Sequence, residues 1–159
     1  MAVRVTAEDF DISREVARLT SGRTDIGAVV TFTGTVRGEA KGRRLVSMTL
    51  EHYPGMTEAE LARVEAEANA RWPLDATLIV HRIGELRPGD NIVLVVAASR
   101  HRQAAFEAAA FLMDFLKSRA PFWKKETATD GTGQWVDARD TDEAALARWD
   151  RSEAGDAKP

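Results

Sequence analysis

A lysine near the end of a predicted apolar helix is the side chain in this sequence best suited to chemistry. The segment 103–119 is rich in Ala and Leu and contains neither Gly nor Pro, which predicts a helix. Four of its residues are spaced four, three and four apart and share one face: Phe106, Ala110, Met113 and Lys117. A buried amine loses hydration and favours its neutral form, so Lys117 is a candidate nucleophile or base. Alternatively, Lys117 only snorkels from the helix end, where a cation suits the helix dipole.

Further cations surround this lysine. Residues 100–125 contain six Lys/Arg and two acidic residues, a local net charge of +4, whereas residues 130–159 contain four Lys/Arg and eight acidic residues, a local net charge of −4. On a chain with a net charge of −3, a focused basic patch suits a small anionic ligand better than a nucleic acid. The alternative is a solvated face beside a charged tail.

Several of these cations lie where a predicted element begins or ends. Arg37 ends a strand, and His101 with Arg102 begins the helix, where free backbone amides attract anions. On a strand, Lys124 and Glu126 face the same side, and they could also form a surface ion pair of little energy. A helix rises about 1.5 Å per residue, which separates Arg102 from Lys117 by roughly 22 Å. We therefore expect either two separate sites or a symmetric dimer with composite sites.

Composition restricts the class of protein. With 159 residues, 44% hydrophobic and 30% charged, the sequence predicts one soluble domain over 1–150, with a disordered tail over 151–159. No signal peptide or membrane span is recognisable, so we expect a cytoplasmic location and no membrane partner. The absence of cysteine excludes disulfides and cysteine nucleophiles in this chain, and its three histidines lack metal-ligand spacing. We expect neither a metal nor a cofactor.

The predicted elements mix hairpins with helices and indicate an α+β fold with a mainly antiparallel sheet. We expect 38–44 to be a polar loop, 45–53 to be the antiparallel return strand after 27–37, and Thr57 with Glu60 to form the capping box of the second helix. Phosphate-loop, dinucleotide-binding and serine-hydrolase motifs are absent from the sequence.

Six segments in this order resemble one known family over nearly the whole chain. They are FTGTVRG (32–38), LEHYPGMTE (50–58), HRIGELRPGD (81–90), SRHRQAAFEA (99–108), LKSRAPFWKKE (116–126) and DGTGQWVDAR (130–139). Together they are similar to the MoaE family, the large catalytic subunits of molybdopterin synthase. HRIG, the second HR pair and PFWKKE are highly specific in combination, whereas each alone is weak.

The resemblance implies both a fold and a reaction. The fold would be an α/β-hammerhead with an additional small antiparallel β subdomain. The assembly would be a heterotetramer, in which a central homodimer binds a small ubiquitin-like sulfur carrier at each end. The thiocarboxylate at the carrier's C-terminal Gly-Gly would enter a pocket of this chain. This sulfurtransferase would pass two sulfurs to cyclic pyranopterin monophosphate and so form the dithiolene of molybdopterin.

The resemblance also implies which residues act. Lys117 and Lys124 match the family's two catalytically important lysines, and Phe32 with Met113 match apolar residues near the carrier tail. The implied substrate-binding residues are Thr35, Val36, Arg37, His101, Arg102, Lys125, Glu126 and Arg139. His101 and Arg102 would serve the pocket of the neighbouring copy, in agreement with the helix length.

Two other functions use the same residues. A phosphate-handling enzyme acting on an unrelated precursor would use the same cations, but it should also need a metal or a pair of carboxylates. A non-catalytic binding module for a ubiquitin-like tail would use Phe122 and Trp123 as groove aromatics and Lys117 as a carboxylate anchor.

Overall fold

A computed structural model describes residues 2–136 and 140–152 of the chain. The elements are β1 (Ala2–Thr6), α1 (Ile12–Thr20), β2 (Ala28–Thr35), β3 (Glu39–Ala40), β4 (Arg43–His52), α2 (Met56–Arg71), β5 (Ala76–Arg82), β6 (Gly84–Leu86), β7 (Asn91–Ser99), α3 (Arg102–Ser118), β8 (Phe122–Ala128), β9 (Gly133–Val136) and α4 (Asp140–Ser152). Of the predicted tail, 151–152 end α4 and 153–159 lie outside the described residues. No helix within the described ranges is long and apolar enough to cross a membrane.

The first sheet has the strand order β1-β5-β7-β2 and forms the centre of the molecule. Its β1–β5 pair is parallel, and the other two pairs are antiparallel. Strands β5 and β7 are apolar on both faces because helices cover both. Helix α1 packs on one face, and α2, α3 and α4 pack on the other. The predicted α+β class is confirmed.

Helix α3 buries a different face from the predicted one. Its buried residues are Ala104, Ala105, Ala108, Ala109, Phe111, Leu112 and Phe115. Phe106 is 61% exposed, and Lys117 is also exposed. The predicted stripe therefore only borders the buried face. The physical reason is that small alanines let the helix approach β7 and β2 closely, and a count of large apolar side chains does not detect such a face.

The second sheet has the order β3-β4-β8-β9, with β6 also paired to β4, and it is antiparallel throughout. The prediction that 45–53 returns along β2 is wrong, because β4 pairs with β8 and β2 pairs with β7. A bulge between Gly34 and Thr35 interrupts the register at the end of β2. After this bulge, Val36 enters a separate small core with Leu50 and Leu86. The chain thereby leaves the first sheet and starts the second.

Two local predictions near this second sheet need correction. The segment 38–44 is largely a tight hairpin, in which Lys41 (φ 51°) and Gly42 (φ 74°) adopt the positive φ values that two-residue hairpin turns require. Helix α2 starts at Met56, and the carboxylate of Glu58 accepts the backbone N–H of Gly55 at 2.7 Å. The N-cap is therefore Gly55, two residues before the predicted Thr57, and only the Glu58 half of a capping box forms because glycine has no side-chain acceptor.

Thr57 instead joins α2 to the second sheet. Its buried hydroxyl accepts the backbone N–H of Tyr53 at 3.1 Å and donates to the carbonyl of Pro121 at 3.1 Å. Because Pro121 immediately precedes β8, this contact fixes where β8 begins. The side chains that β8 presents are consequently held relative to α2.

Candidate functional site

A cavity of about 270 Å³ lies where the second sheet meets the C-terminal end of α3. The second sheet, the end of α3 and the segment after β2 supply most of its walls. Its lining residues are Thr35, Arg37, Glu39, Ala40, Leu45, Met48, His81, Ile92, Leu116, Lys117, Ser118, Ala120, Phe122, Lys124, Glu126, Val136 and Asp142. The cavity wall mixes charged and polar groups with apolar side chains, an arrangement that suits a small polar ligand.

Three cations and three carboxylates line this cavity. The cations are Arg37, Lys117 and Lys124, and the carboxylates are Glu39, Glu126 and Asp142. Within the described residues, neither Arg37 nor Lys117 makes a hydrogen bond or ion pair with another side chain. Their charges are thus available to an anionic ligand, and a guanidinium can bind phosphate or carboxylate through two hydrogen bonds.

Lys117 lies on the last turn of α3, at the rim of the cavity. Lys117 is exposed, so the prediction that it ends a buried stripe of the helix is wrong for the isolated chain. The side chain nevertheless borders the same cavity as Arg37 and Lys124. Desolvation of this amine would therefore require a ligand or a second chain to cover the cavity mouth.

Strand β8 divides its charged residues between two faces. Lys124 and Glu126 are half-buried and line the cavity, whereas Lys125 between them is exposed. The Lys125 ammonium lies 6.0 Å from the centroid of the Trp135 ring, on the side away from the cavity. Side chains alternate along a strand, so Lys125 does not line this cavity, and its expected contact with substrate stays a prediction.

Val36 also does not reach the cavity. Its side chain is 2% exposed and belongs to the small core with Leu50 and Leu86. Both of its backbone groups are occupied, because its N–H donates to Asp90 at 2.9 Å and its carbonyl accepts the N–H of Gly89 at 2.8 Å. Val36 is therefore placed to anchor the adjacent Arg37, and its expected contact with substrate stays a prediction.

Other predicted site residues lie away from this cavity. His101 and Arg102 are exposed at the N-terminal end of α3, opposite the end that carries Lys117. Phe32 is 38% exposed on β2, and Met113 packs against the main core, so neither lines the cavity. Arg139 lies outside the described residues. One chain thus brings together Thr35, Arg37, Lys117, Lys124 and Glu126 from the predicted set.

His81 is a cavity residue to which the sequence analysis assigned no role. It is 5% exposed, its ring stacks on Phe122 at 3.8 Å between centroids and 15° between planes, and Nδ1 lies 2.8 Å from the carbonyl of Arg82. Burial, and to a smaller extent the charges of Lys124 and Lys117, lowers the pKa of His81 to about 4. The imidazole is therefore neutral at pH 7. The sequence feature that could have pointed to His81 is a single histidine directly after the apolar strand segment TLIV.

The described residues contain no group of three or more His, Asp or Glu side chains that could hold a metal ion. The cavity itself supplies several side-chain groups. It offers a guanidinium and two amines to bind anions, a carboxylate beside one amine, and a neutral imidazole.

Comparison with known proteins identifies the family. A family model described as MoaE protein matches residues 5–119. The molybdopterin synthase catalytic subunit of Mesorhizobium japonicum is 60% identical over 151 residues, which cover 94% of each chain. The molybdopterin biosynthesis MoaE protein from Burkholderia ambifaria is 50% identical, with a TM-score of 0.79 over 94% of this chain and 97% of that one. Molybdopterin synthase from Staphylococcus aureus is 34% identical, with a TM-score of 0.77 over 84% of this chain and 95% of that one. These matches confirm the resemblance, and the chain belongs to the MoaE family.

Proposed function

We propose that this protein is the catalytic subunit of a molybdopterin synthase and transfers sulfur to cyclic pyranopterin monophosphate. One observation carries the proposal: three cations from separate parts of the chain line one small cavity, namely Arg37 after β2, Lys117 on α3 and Lys124 on β8. The substrate's phosphate and a thiocarboxylate are both anions, and this cavity provides cations for both. The names of the similar proteins support the same activity.

The sulfur comes from a partner. The chain contains no cysteine, so it has no thiol on which to carry a persulfide. A small ubiquitin-like carrier with a C-terminal thiocarboxylate supplies the sulfur, and its extended tail enters the cavity beside Lys117. This tail also covers the exposed amine, which provides the desolvation that the isolated chain lacks.

Each transfer forms one carbon–sulfur bond and breaks another. The thiocarboxylate sulfur attacks an oxygen-bearing carbon of the pterin side chain, and the oxygen on that carbon takes up a proton and leaves as water or, where the cyclic phosphate opens, stays on the phosphate. The bond from sulfur to the carrier's acyl carbon then breaks. The acyl group passes to water directly, or first to the amine of Lys117 and then to water, and leaves the carrier with an ordinary carboxylate. Lys117 acts as the proton-transfer group in the first route and as the nucleophile in the second.

The remaining site residues bind and position the anionic groups of the two substrates. Lys124 pairs with the thiocarboxylate and directs its sulfur, and Glu126 on the same face of β8 orients Lys124. Arg37 binds the phosphate together with His101 and Arg102 of a second copy. A second copy is required because α3 places His101 and Arg102 about 22 Å from Lys117. Two copies form the core, with one carrier at each end.

A turnover assay tests the proposal. The purified protein is incubated with thiocarboxylated carrier and cyclic pyranopterin monophosphate, and sulfur incorporation into the pterin is measured. The wild-type protein should convert the precursor, whereas Lys117→Ala should be slower by about 10²- to 10⁴-fold. A binding module would bind the carrier without turnover, and an unrelated phosphate-handling enzyme would incorporate no sulfur. Undiminished conversion by Lys117→Ala would contradict both routes.

A further inference from the structure

The HRIG segment contributes a cavity residue to which the family resemblance assigned no function. His81 is the last buried residue of β5 and lies between the two sheets, against Phe122 of β8. Its imidazole ring has two nitrogens, Nδ1 and Nε2. The two nitrogens are in different situations, and this difference indicates a role.

One ring nitrogen is fully used by the protein. Nδ1 lies 2.8 Å from the carbonyl oxygen of Arg82, and because a carbonyl only accepts, Nδ1 must carry the proton. The neutral ring is thereby held as the Nδ1–H tautomer. Nε2 then has a lone pair and can only accept a hydrogen bond.

The other nitrogen has no partner. Within the described residues, no donor lies within hydrogen-bonding distance of His81 Nε2, although the residue lines the cavity and is 5% exposed. Nε2 is not sealed inside the protein: it keeps access to the cavity, where a ligand or a water molecule can donate a hydrogen bond to it. The charges of the nearby ammonium groups of Lys117 and Lys124 oppose protonation of this nitrogen.

We propose that His81 is a substrate-binding residue, whose Nε2 accepts a hydrogen bond from an N–H group of the heterocyclic part of the substrate. Arg37, Lys117 and Lys124 can only donate hydrogen bonds and therefore select anionic groups. Nε2 of His81 is a neutral acceptor among these cations, so it binds a different part of the same ligand, namely an uncharged N–H donor. The identity of the donor as an N–H of a pterin rests on the proposed function, whereas the requirement for a hydrogen-bond donor rests on the imidazole.

A substitution that keeps the stack tests this role. His81→Phe preserves a ring against Phe122 and removes the acceptor, and His81→Gln returns an acceptor without the ring. We expect KM for cyclic pyranopterin monophosphate to rise about tenfold in His81→Phe, with kcat within about twofold of wild type, and Gln to recover part of the loss. An unchanged KM in a folded His81→Phe protein would overturn the inference, as would a fall in kcat alone. Failure of the wild-type protein to bind the precursor would instead overturn the proposed function.

Nitrogen NMR provides a second measurement that does not depend on turnover. The chain has only three histidines, so the His81 signals of ¹⁵N-histidine-labelled protein can be assigned by their loss in His81→Phe. The Nε2 resonance should start as that of an unprotonated nitrogen and shift on addition of the precursor, whereas inorganic phosphate should leave it in place. An Nε2 resonance that starts as protonated would refute the acceptor role, and so would one that ignores saturating precursor.

Discussion

Lys124 and Lys125 are adjacent in sequence, yet they lie on opposite faces of β8. Lys124 is half-buried and lines the cavity, whereas Lys125 is exposed and lies over the ring of Trp135. The two lysines therefore have the same chemistry in different places, which makes each the matched control for the other.

Substitution of Lys124 should impair sulfur transfer much more than substitution of Lys125. Lys124→Ala removes a charge from the cavity and should lower the turnover rate by about 10²-fold or more. Lys125→Ala loses only an exposed contact with Trp135, worth about 0.5–1 kcal/mol, and should remain within about twofold of wild-type turnover. Single-turnover rates with thiocarboxylated carrier measure both. Equal losses in the two variants would contradict the assignment of Lys124 to the site.

Loss of Arg37 should weaken precursor binding and spare carrier binding. A hydrogen-bonded guanidinium–phosphate contact contributes about 1.5–3 kcal/mol, so Arg37→Ala should raise the Kd for the precursor by roughly 10- to 100-fold. Calorimetric titration with precursor and with carrier measures the two affinities separately. Arg44 is exposed and does not line the cavity, so Arg44→Ala serves as the control. Weakened carrier binding in Arg37→Ala, with precursor affinity intact, would place the phosphate elsewhere.

Mixed dimers should recover activity that the separate variants lack. Arg102 and Lys117 lie at opposite ends of α3, so a composite site takes one of them from each copy. Lys117→Ala and Arg102→Ala are each expected to be nearly inactive. After subunit exchange, half of the dimers contain one intact site out of two, which predicts about a quarter of wild-type turnover. If the exchanged mixture stays inactive, Arg102 and Lys117 do not meet across a dimer.

Acidification should destabilise the wild-type protein more than His81→Phe. The folded state lowers the pKa of His81 from 6.5 to about 4, mainly through burial, and the charges of Lys124, Lys117 and His52 act in the same direction. The unfolded chain therefore binds a proton first as pH falls through 6.5, and stability is lost between pH 6.5 and 4. This linkage should cost about 2 kcal/mol between pH 7.5 and pH 5. Urea unfolding of both proteins at these two pH values measures the difference, and parallel losses would show that His81 does not titrate this way.

Neutralising the buried carboxylate of Glu65 should stabilise the fold at neutral pH. Burial raises the pKa of Glu65, and its main partner is the hydroxyl of Thr77, which donates at 2.9 Å. A raised carboxyl pKa means that stability is lost as pH rises through the folded-state value. Glu65→Gln keeps an acceptor for Thr77 and removes the charge, so its Tm should exceed that of wild type at pH 8, and the gain should shrink at pH 4.

A more exposed glutamate on the same helix provides the control for Glu65. The carboxylate of Glu60 pairs with Arg63 at 2.8 Å, and this contact lowers the pKa of Glu60. Glu60→Gln should therefore be slightly less stable than wild type at pH 8, the opposite sign to Glu65→Gln. A destabilised Glu65→Gln protein at pH 8 would show that the charge of Glu65 is favourable.

The sequence alone determined the properties that depend on local periodicity and on the order of motifs. The apolar runs at 77–83 and 91–98 predicted the two central strands, and the period of two placed Lys124 and Glu126 on one face. The six ordered segments were sufficient for the family. Helix geometry was sufficient to separate Arg102 from Lys117.

Only the tertiary structure decided which element covers which face. Val36 is buried because a bulge at Gly34 and Thr35 directs it into a core shared with Leu50 and Leu86. Lys117 is exposed because the alanines of α3 make the closer contact with the sheet. His81 became a site residue because β8, distant in sequence, stacks Phe122 against it. Periodicity states which side chains share a side of their own element, but burial depends on what packs against that side, and this is set by contacts between segments far apart in the chain.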